Sequence, residues 1–188
     1  YSNPLIVYVG RLISSKRVED LLQSVSVLRR MGQSATLLIV GDGPEKPTLE
    51  SIAESLGISQ WVYFTGRVAE EGDSAALAVA DVAVFAGVHG LAINQAMALG
   101  TPVVVADRPG PDGEMVIHQQ TGWRFPEGDI EALAEAILDA LHSDRRTIIV
   151  HQAKHEILER RNLTQYAIAF SEAVKRAQQL CGLNVLTQ

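Results

Sequence analysis

The sequence predicts an α/β fold: a Rossmann-like, doubly wound parallel sheet of about six strands with a helical C-terminal tail. Three observations carry that prediction. Apolar runs of strand length alternate with segments of helical spacing up to about Gly128. Single helices between consecutive strands imply parallel crossovers, so both faces of the sheet are covered. Beyond Gly128 the strand signals stop and only helical patterns remain.

The first run, Leu5 to Val9 (LIVYV), reads as a buried strand. A helix from about Arg17 to Met31 follows, with Val18, Leu21, Leu22, Val25 and Leu28 at helical spacing. Thr36 to Val40 (TLLIV) is the second strand, ended by Gly41-Asp42-Gly43-Pro44. Pro44 suits a first helical position, and the helix it opens runs to Leu56, where Gly57 supplies the cap. Val62 to Thr65 is the third strand, Asp81 to Ala86 the fourth, Pro102 to Ala106 the fifth and Gly122 to Phe125 a short sixth. Helices are expected from about Leu91 to Leu99 and, briefly, around Gly113 to His118. The tail comprises a helix from Asp129 to Leu141, with Asp129 in its N-cap region, then two more, to about Arg160 and from Asn162 to about Leu180.

Bulk properties bound the function. A chain of 188 residues, 47% hydrophobic and 20% charged, has enough apolar mass for one well-buried core, read as a single domain over residues 1–188. A net charge of −6 and the lack of a dense basic stripe argue against a nucleic-acid partner, though a few placed cations still suit one diphosphate. The uncharged stretch Val82 to Ala106 has the length of a membrane span. Its interruptions at Gly87 to Gly90, Asn94-Gln95 and Gly100-Thr101-Pro102 make it strand, turn, helix, turn and strand instead. The lone cysteine, Cys181, forms no internal disulfide or metal cluster and reads as a packed or idle thiol, which fits a reducing, cytoplasmic compartment. No signal peptide is apparent, and the opening Tyr1-Ser2-Asn3-Pro4 reads as the start of a fragment of something larger.

In an open parallel sheet, ligands bind beyond the carboxyl ends of the strands, so the turns at that edge are where chemistry is expected. The first, Val9 to Lys16, places Arg11 and Lys16 behind Gly10, whose backbone permits close approach. Two cations aimed at one spot suit a diphosphate, Arg through its forked donors and Lys as a point charge; a solvated loop is the alternative. The second turn lacks the third glycine of a dinucleotide fingerprint, no Walker-type loop is present, and Asp42 reads as structural. At the third, Arg67 and Val68 offer main-chain groups to a base edge, with an ordinary exposed charge as the equal alternative. The fourth, Gly87 to Ala92, leads flexible backbone into a helix whose free N–H groups, at Leu91 and Ala92, form an anion site without a side chain. Within it His89 fits a structural or ligand-lining role better than catalysis. The fifth, Asp107 to Gly113 before Glu114, offers acids to sugar hydroxyls but reads first as a surface loop.

Five fragments, in order, resemble the carboxy-terminal domain of glycosyltransferase family four: YVGRLISSKRVEDLL, LLIVGDGPEKPTLE, VYFTGRV, GLAINQAMALGTPVVVAD and TGWRFPEGDIEALAEAI. Each alone is weak; their shared order and spacing cover nearly the whole chain. The resemblance implies a GT-B fold, a nucleoside-diphosphate sugar donor, retention at the anomeric carbon and no required metal or cofactor. It implies Arg11 and Lys16 as the catalytic cations on the diphosphate, assisted by the N–H groups of Leu91 and Ala92 beside Gly10, His89 and Gly90. It places Arg67-Val68 at the nucleobase. The acceptor site would belong to an amino-terminal domain outside this chain, and peripheral membrane contact would come through that half.

The family typically carries two glutamates separated by seven residues, one at the sugar and one at the ribose. Here Gly87 and Gln95 stand at those positions. A glutamine can still accept and donate at the ribose, without charge. Two other readings follow: a non-catalytic nucleotide-sugar-binding module, which these departures suit, and a related GT-B sugar-nucleotide epimerase, which the ordered fragments disfavour.

Overall fold

The computed structural model describes residues 3–88, 90–108 and 115–180. Six strands, β1 (Leu5–Val9), β2 (Thr36–Val40), β3 (Val62–Gly66), β4 (Val82–Phe85), β5 (Val103–Asp107) and β6 (Trp123–Pro126), form one sheet in the order β3-β2-β1-β4-β5-β6. Every neighbouring pair is parallel. The α/β class, the parallel sheet and the doubly wound order thus follow the sequence pattern.

Seven α-helices accompany the strands among the described residues: α1 (Val18–Arg30), α2 (Lys46–Ser55), α3 (Glu70–Val79), α4 (Leu91–Leu99), α5 (Ile130–His142), α6 (Arg146–His155) and α7 (Leu163–Leu180). Helix α1 packs against α2 and α5 on one face of the sheet, while α4 packs against α3 and α6 on the other. The central strands β1 and β4 are buried on both faces, which explains their unbroken apolar runs. At the edge, β3 alternates instead, and Tyr63 is exposed.

Several boundaries differ from the sequence reading for identifiable reasons. Helix α2 begins at Lys46, with Pro47 rather than Pro44 in its first turn, because Gly43 and Pro44 belong to a turn closed by Lys46 N–H on Gly43 O at 3.1 Å. Asp81 precedes β4 instead of joining it: its carboxylate accepts from Leu5 N–H at 2.8 Å and so caps the start of β1. Gly57, at φ +68, donates to Glu54 O as the expected cap. Asp129 caps α5 by accepting from Ala132 N–H at 2.9 Å. The helix expected around Gly113 to His118 and the turn Asp107 to Gly113 lie partly, and Cys181 wholly, outside the described residues.

The uncharged stretch Val82 to Ala106 holds β4, α4 and most of β5. Among the described residues no helix is long and apolar enough to cross a membrane. Helix α7 is different in kind: residues 163–177 are all exposed, with Leu163, Tyr166 and Phe170 turned to solvent.

Candidate functional site

The strand order reverses between β1 and β4, where α1 carries the chain to one side of the sheet and α4 to the other. A crevice opens beyond the carboxyl ends of such a pair. Here it is a cavity of about 300 Å³, lined among others by Gly10, Arg11, Lys16, Leu91, Ala92 and Gln95. An adjoining cavity of about 630 Å³ shares Gly10 and Arg11 and extends to Arg67 and Val68. Gly90 also lines the smaller cavity. The loops therefore bring together every site residue expected from the sequence apart from His89, which lies outside the described residues.

The loop after β1 is held from two sides. Gly10 has φ +154, and a Cβ there would lie 2.8 Å from the Tyr8 hydroxyl. That hydroxyl donates to the Arg11 carbonyl at 2.9 Å. Tyr8 is 2% exposed, and burial pushes its phenol well above the ordinary range, so it stays a donor. The GDGP turn supports the loop from below: Leu12 N–H donates to Asp42 O at 2.9 Å and Glu45 N–H to Leu12 O at 3.1 Å. A Cβ on Gly41 would fall 1.9 Å from Gly10 O. The glycines of this turn thus serve loop-to-loop packing, and Asp42 accepts from Gly43 N–H at 2.8 Å, as a structural turn residue does.

Past Arg11 a 3-10 turn, Ser14–Lys16, leads into α1 through Arg17, a non-glycine residue at φ +52. Arg17 is tied down by Asp20 at 2.7 Å, with Glu127 at 3.9 Å. Lys16 extends across the crevice and donates to the Val88 carbonyl at 2.7 Å. On the far wall, α4 starts at Leu91 with Gly90 as its N-cap and no side-chain cap. Leu91 and Ala92, at this helix start, line the same cavity as the two cations, where the positive end of the helix dipole favours an anion. Half-buried Gln95 lies one turn further along α4.

Charge separates this crevice from a third cavity. A third cavity, of about 380 Å³, lies by the starts of α1, α2 and α5 and is walled by Glu19, Asp20 and Glu45 beside Arg17. Its acids oppose a diphosphate, whereas Arg11 and Lys16 favour one. Asp73, on α3, lines both cavities of the switch point and was not reached by sequence reasoning. No motif marks it; only the helix that carries it would have placed it at this edge.

Comparison with known proteins agrees with this architecture. Residues 2–160 match the family model for glycosyl transferases group 1. A GDP-mannose-dependent alpha-(1-6)-phosphatidylinositol monomannoside mannosyltransferase of Mycolicibacterium smegmatis is 36% identical over 153 residues, covering 76% of this chain and 40% of that protein. The chain thus spans well under half the length of this relative. Anabaena HepE, in a crystal structure with UDP and glucose, superposes with a TM-score of 0.79 at 24% identity, over 92% of this chain and 48% of that one. The C-terminal domain of a glycosyl transferase group 1 family protein, LpcC from Francisella tularensis, has a TM-score of 0.73 at 19% identity, over 85% of this chain and 87% of that one. A family match across most of the chain, on a fold shared with these structures, shows that the chain belongs to the glycosyl transferases group 1.

Proposed function

We propose that this chain is the donor-binding domain of a retaining glycosyltransferase of family four, which moves a sugar from a nucleoside diphosphate to an acceptor. The observation that carries the reading is the convergence of Arg11, Lys16 and the α4 N-terminus on one cavity at the sheet's switch point. In the reaction, the bond from the anomeric carbon to the diphosphate breaks and a bond from the acceptor oxygen to that carbon forms. The acceptor hydroxyl gives up its proton, and negative charge builds on the departing diphosphate. Arg11 and Lys16 act there, where preorganised cations stabilise charge as it develops. The Leu91 and Ala92 N–H groups add donors without a side chain. Gln95 meets the ribose, and the Arg67-Val68 segment, in the adjoining cavity, meets the base.

The acceptor side belongs, in this proposal, to an amino-terminal half of the same protein. Two observations support that division: the chain spans 40% of its mannosyltransferase relative, and α7 presents an uncovered apolar side. A nucleotide-sugar-binding module without catalysis is the second reading, favoured by Gly87 and Gln95 standing where the resemblance places glutamates.

Calorimetry with uridine and guanosine diphosphates, and with the parent nucleosides, tests the donor site. The diphosphates should bind at least tenfold tighter than the nucleosides, since the phosphates meet the cations. Equal affinity would remove the assignment. Incubated with labelled nucleotide-sugars and mixed acceptors, the chain alone should yield no product, and robust turnover would overturn the domain division.

A further inference from the structure

The loops after β1 and β4 meet backbone to backbone. Gly87 is buried, and a Cβ built on it would lie 2.3 Å from Ser15 O, 2.6 Å from the Lys16 carbonyl carbon and 2.8 Å from Lys16 O. At the next residue the Val88 N–H donates to Ser15 O at 2.8 Å. The Val88 carbonyl in turn accepts from Lys16 Nζ at 2.7 Å. Residues 87 and 88 therefore grip both the main chain of the 3-10 turn and the end of its lysine side chain.

Backbone atoms cannot rotate away from such a contact, so any side chain at 87 has to push the two loops apart. That includes glutamate, the residue the family resemblance would put there. Gly87 is more than a missing carboxylate: the two loops occupy the space a carboxylate stem would need.

We infer that Gly87 and Val88 form a backbone latch that positions Lys16 in the diphosphate cavity, with bare backbone at 87 as its requirement. The inference rests on the donor-site reading. A lysine held in place loses less freedom when its anion arrives. Gly87 is thus a positioning residue acting through Lys16.

A double-mutant cycle on the full chain, read by calorimetry with uridine and guanosine diphosphates, tests this. Gly87→Ala should weaken binding roughly tenfold, and the Lys16→Ala/Gly87→Ala pair should bind no worse than Lys16→Ala, because both act on one ammonium. Gly87→Glu should lose as much as Gly87→Ala. Wild-type affinity in Gly87→Ala, additive losses in the pair, or tighter binding by Gly87→Glu would each overturn the latch while leaving the donor site standing. Unchanged affinity in Lys16→Ala would overturn both. Hydrogen exchange on the wild-type protein gives a readout that no folding defect obscures: the Val88 amide should be protected, and rapid exchange there would overturn the latch.

Discussion

In the proposed donor site, replacing Gln95 with glutamate restores the carboxylate that the family resemblance places at this position. Gln95 is half-buried on α4 and faces the cavity that also holds Arg11 and Lys16. As an amide it offers the ribose one acceptor oxygen; as a carboxylate it could accept from both hydroxyls. Charge-assisted hydrogen bonds are about twice as strong as neutral ones, which puts the gain at about 1 kcal/mol. Two effects modify it. Gln95 is the fifth residue of α4, beyond the turn where the helix dipole rewards negative charge. Asp73 lines the same cavity and opposes a second acid, while Arg11 and Lys16 offset that repulsion. The expected outcome of Gln95→Glu is an approximately fivefold tighter dissociation constant for a nucleoside diphosphate, at unchanged melting temperature. Calorimetry and thermal melts on the same samples measure both. A lower melting temperature with no gain in affinity would refute the reasoning, because it would mean that Gln95 packs instead of binding.

Other consequences concern the scaffold. Tyr8→Phe removes the hydrogen bond to the Arg11 carbonyl and should cost about 1 kcal/mol of stability by chemical denaturation. Because the Tyr8 phenol is raised from 10.0, its contribution is present below that value and is lost as pH climbs through the higher folded one; a wild type without any alkaline loss relative to Tyr8→Phe would contradict this. Glu156 is held below its ordinary 4.5, first by the hydrogen bond from Arg161 and further by that from Arg160, against the upward pull of burial. Its stabilisation is present above that value and disappears as pH falls through the lower folded one. Glu156→Gln should therefore be less stable by up to about 1 kcal/mol at neutral pH, with the deficit closing in acid. Melts showing the same deficit at both pH values would contradict the ion pair's role.

The elements most legible in the sequence are those with an apolar run of strand length or apolar residues at helical spacing. Helix α4 and strands β1 and β2 lie where their apolar spacing puts them, because packing against a two-faced sheet imposes that spacing. Helix α3 escapes the same reasoning. Its EEGDSAALAV sequence contains Gly72 and several alanines, and among its described side chains Leu77 is the one that is large and fully buried. With it goes Asp73, which only the three-dimensional course of α3 brings to the cavities. Gly87 shows the same limit in sharper form. In sequence it reads as a lost glutamate; the reason for glycine lies in Ser15 and Lys16, more than seventy positions away. The cations are the opposite case: Arg11 and Lys16 follow a strand end within one short loop, so the topology alone aims them at the crevice.

The central claim is that Arg11 and Lys16 hold a diphosphate, and titration calorimetry of alanine variants tests it most directly. Each of Arg11→Ala and Lys16→Ala removes charge-assisted contacts and should cost roughly 1.5–3 kcal/mol of nucleoside diphosphate affinity. Arg145→Ala, at the N-cap of α6 and lining neither cavity of the switch point, should bind as the wild type does. Equal affinity in the wild type, Arg11→Ala and Lys16→Ala would contradict the account.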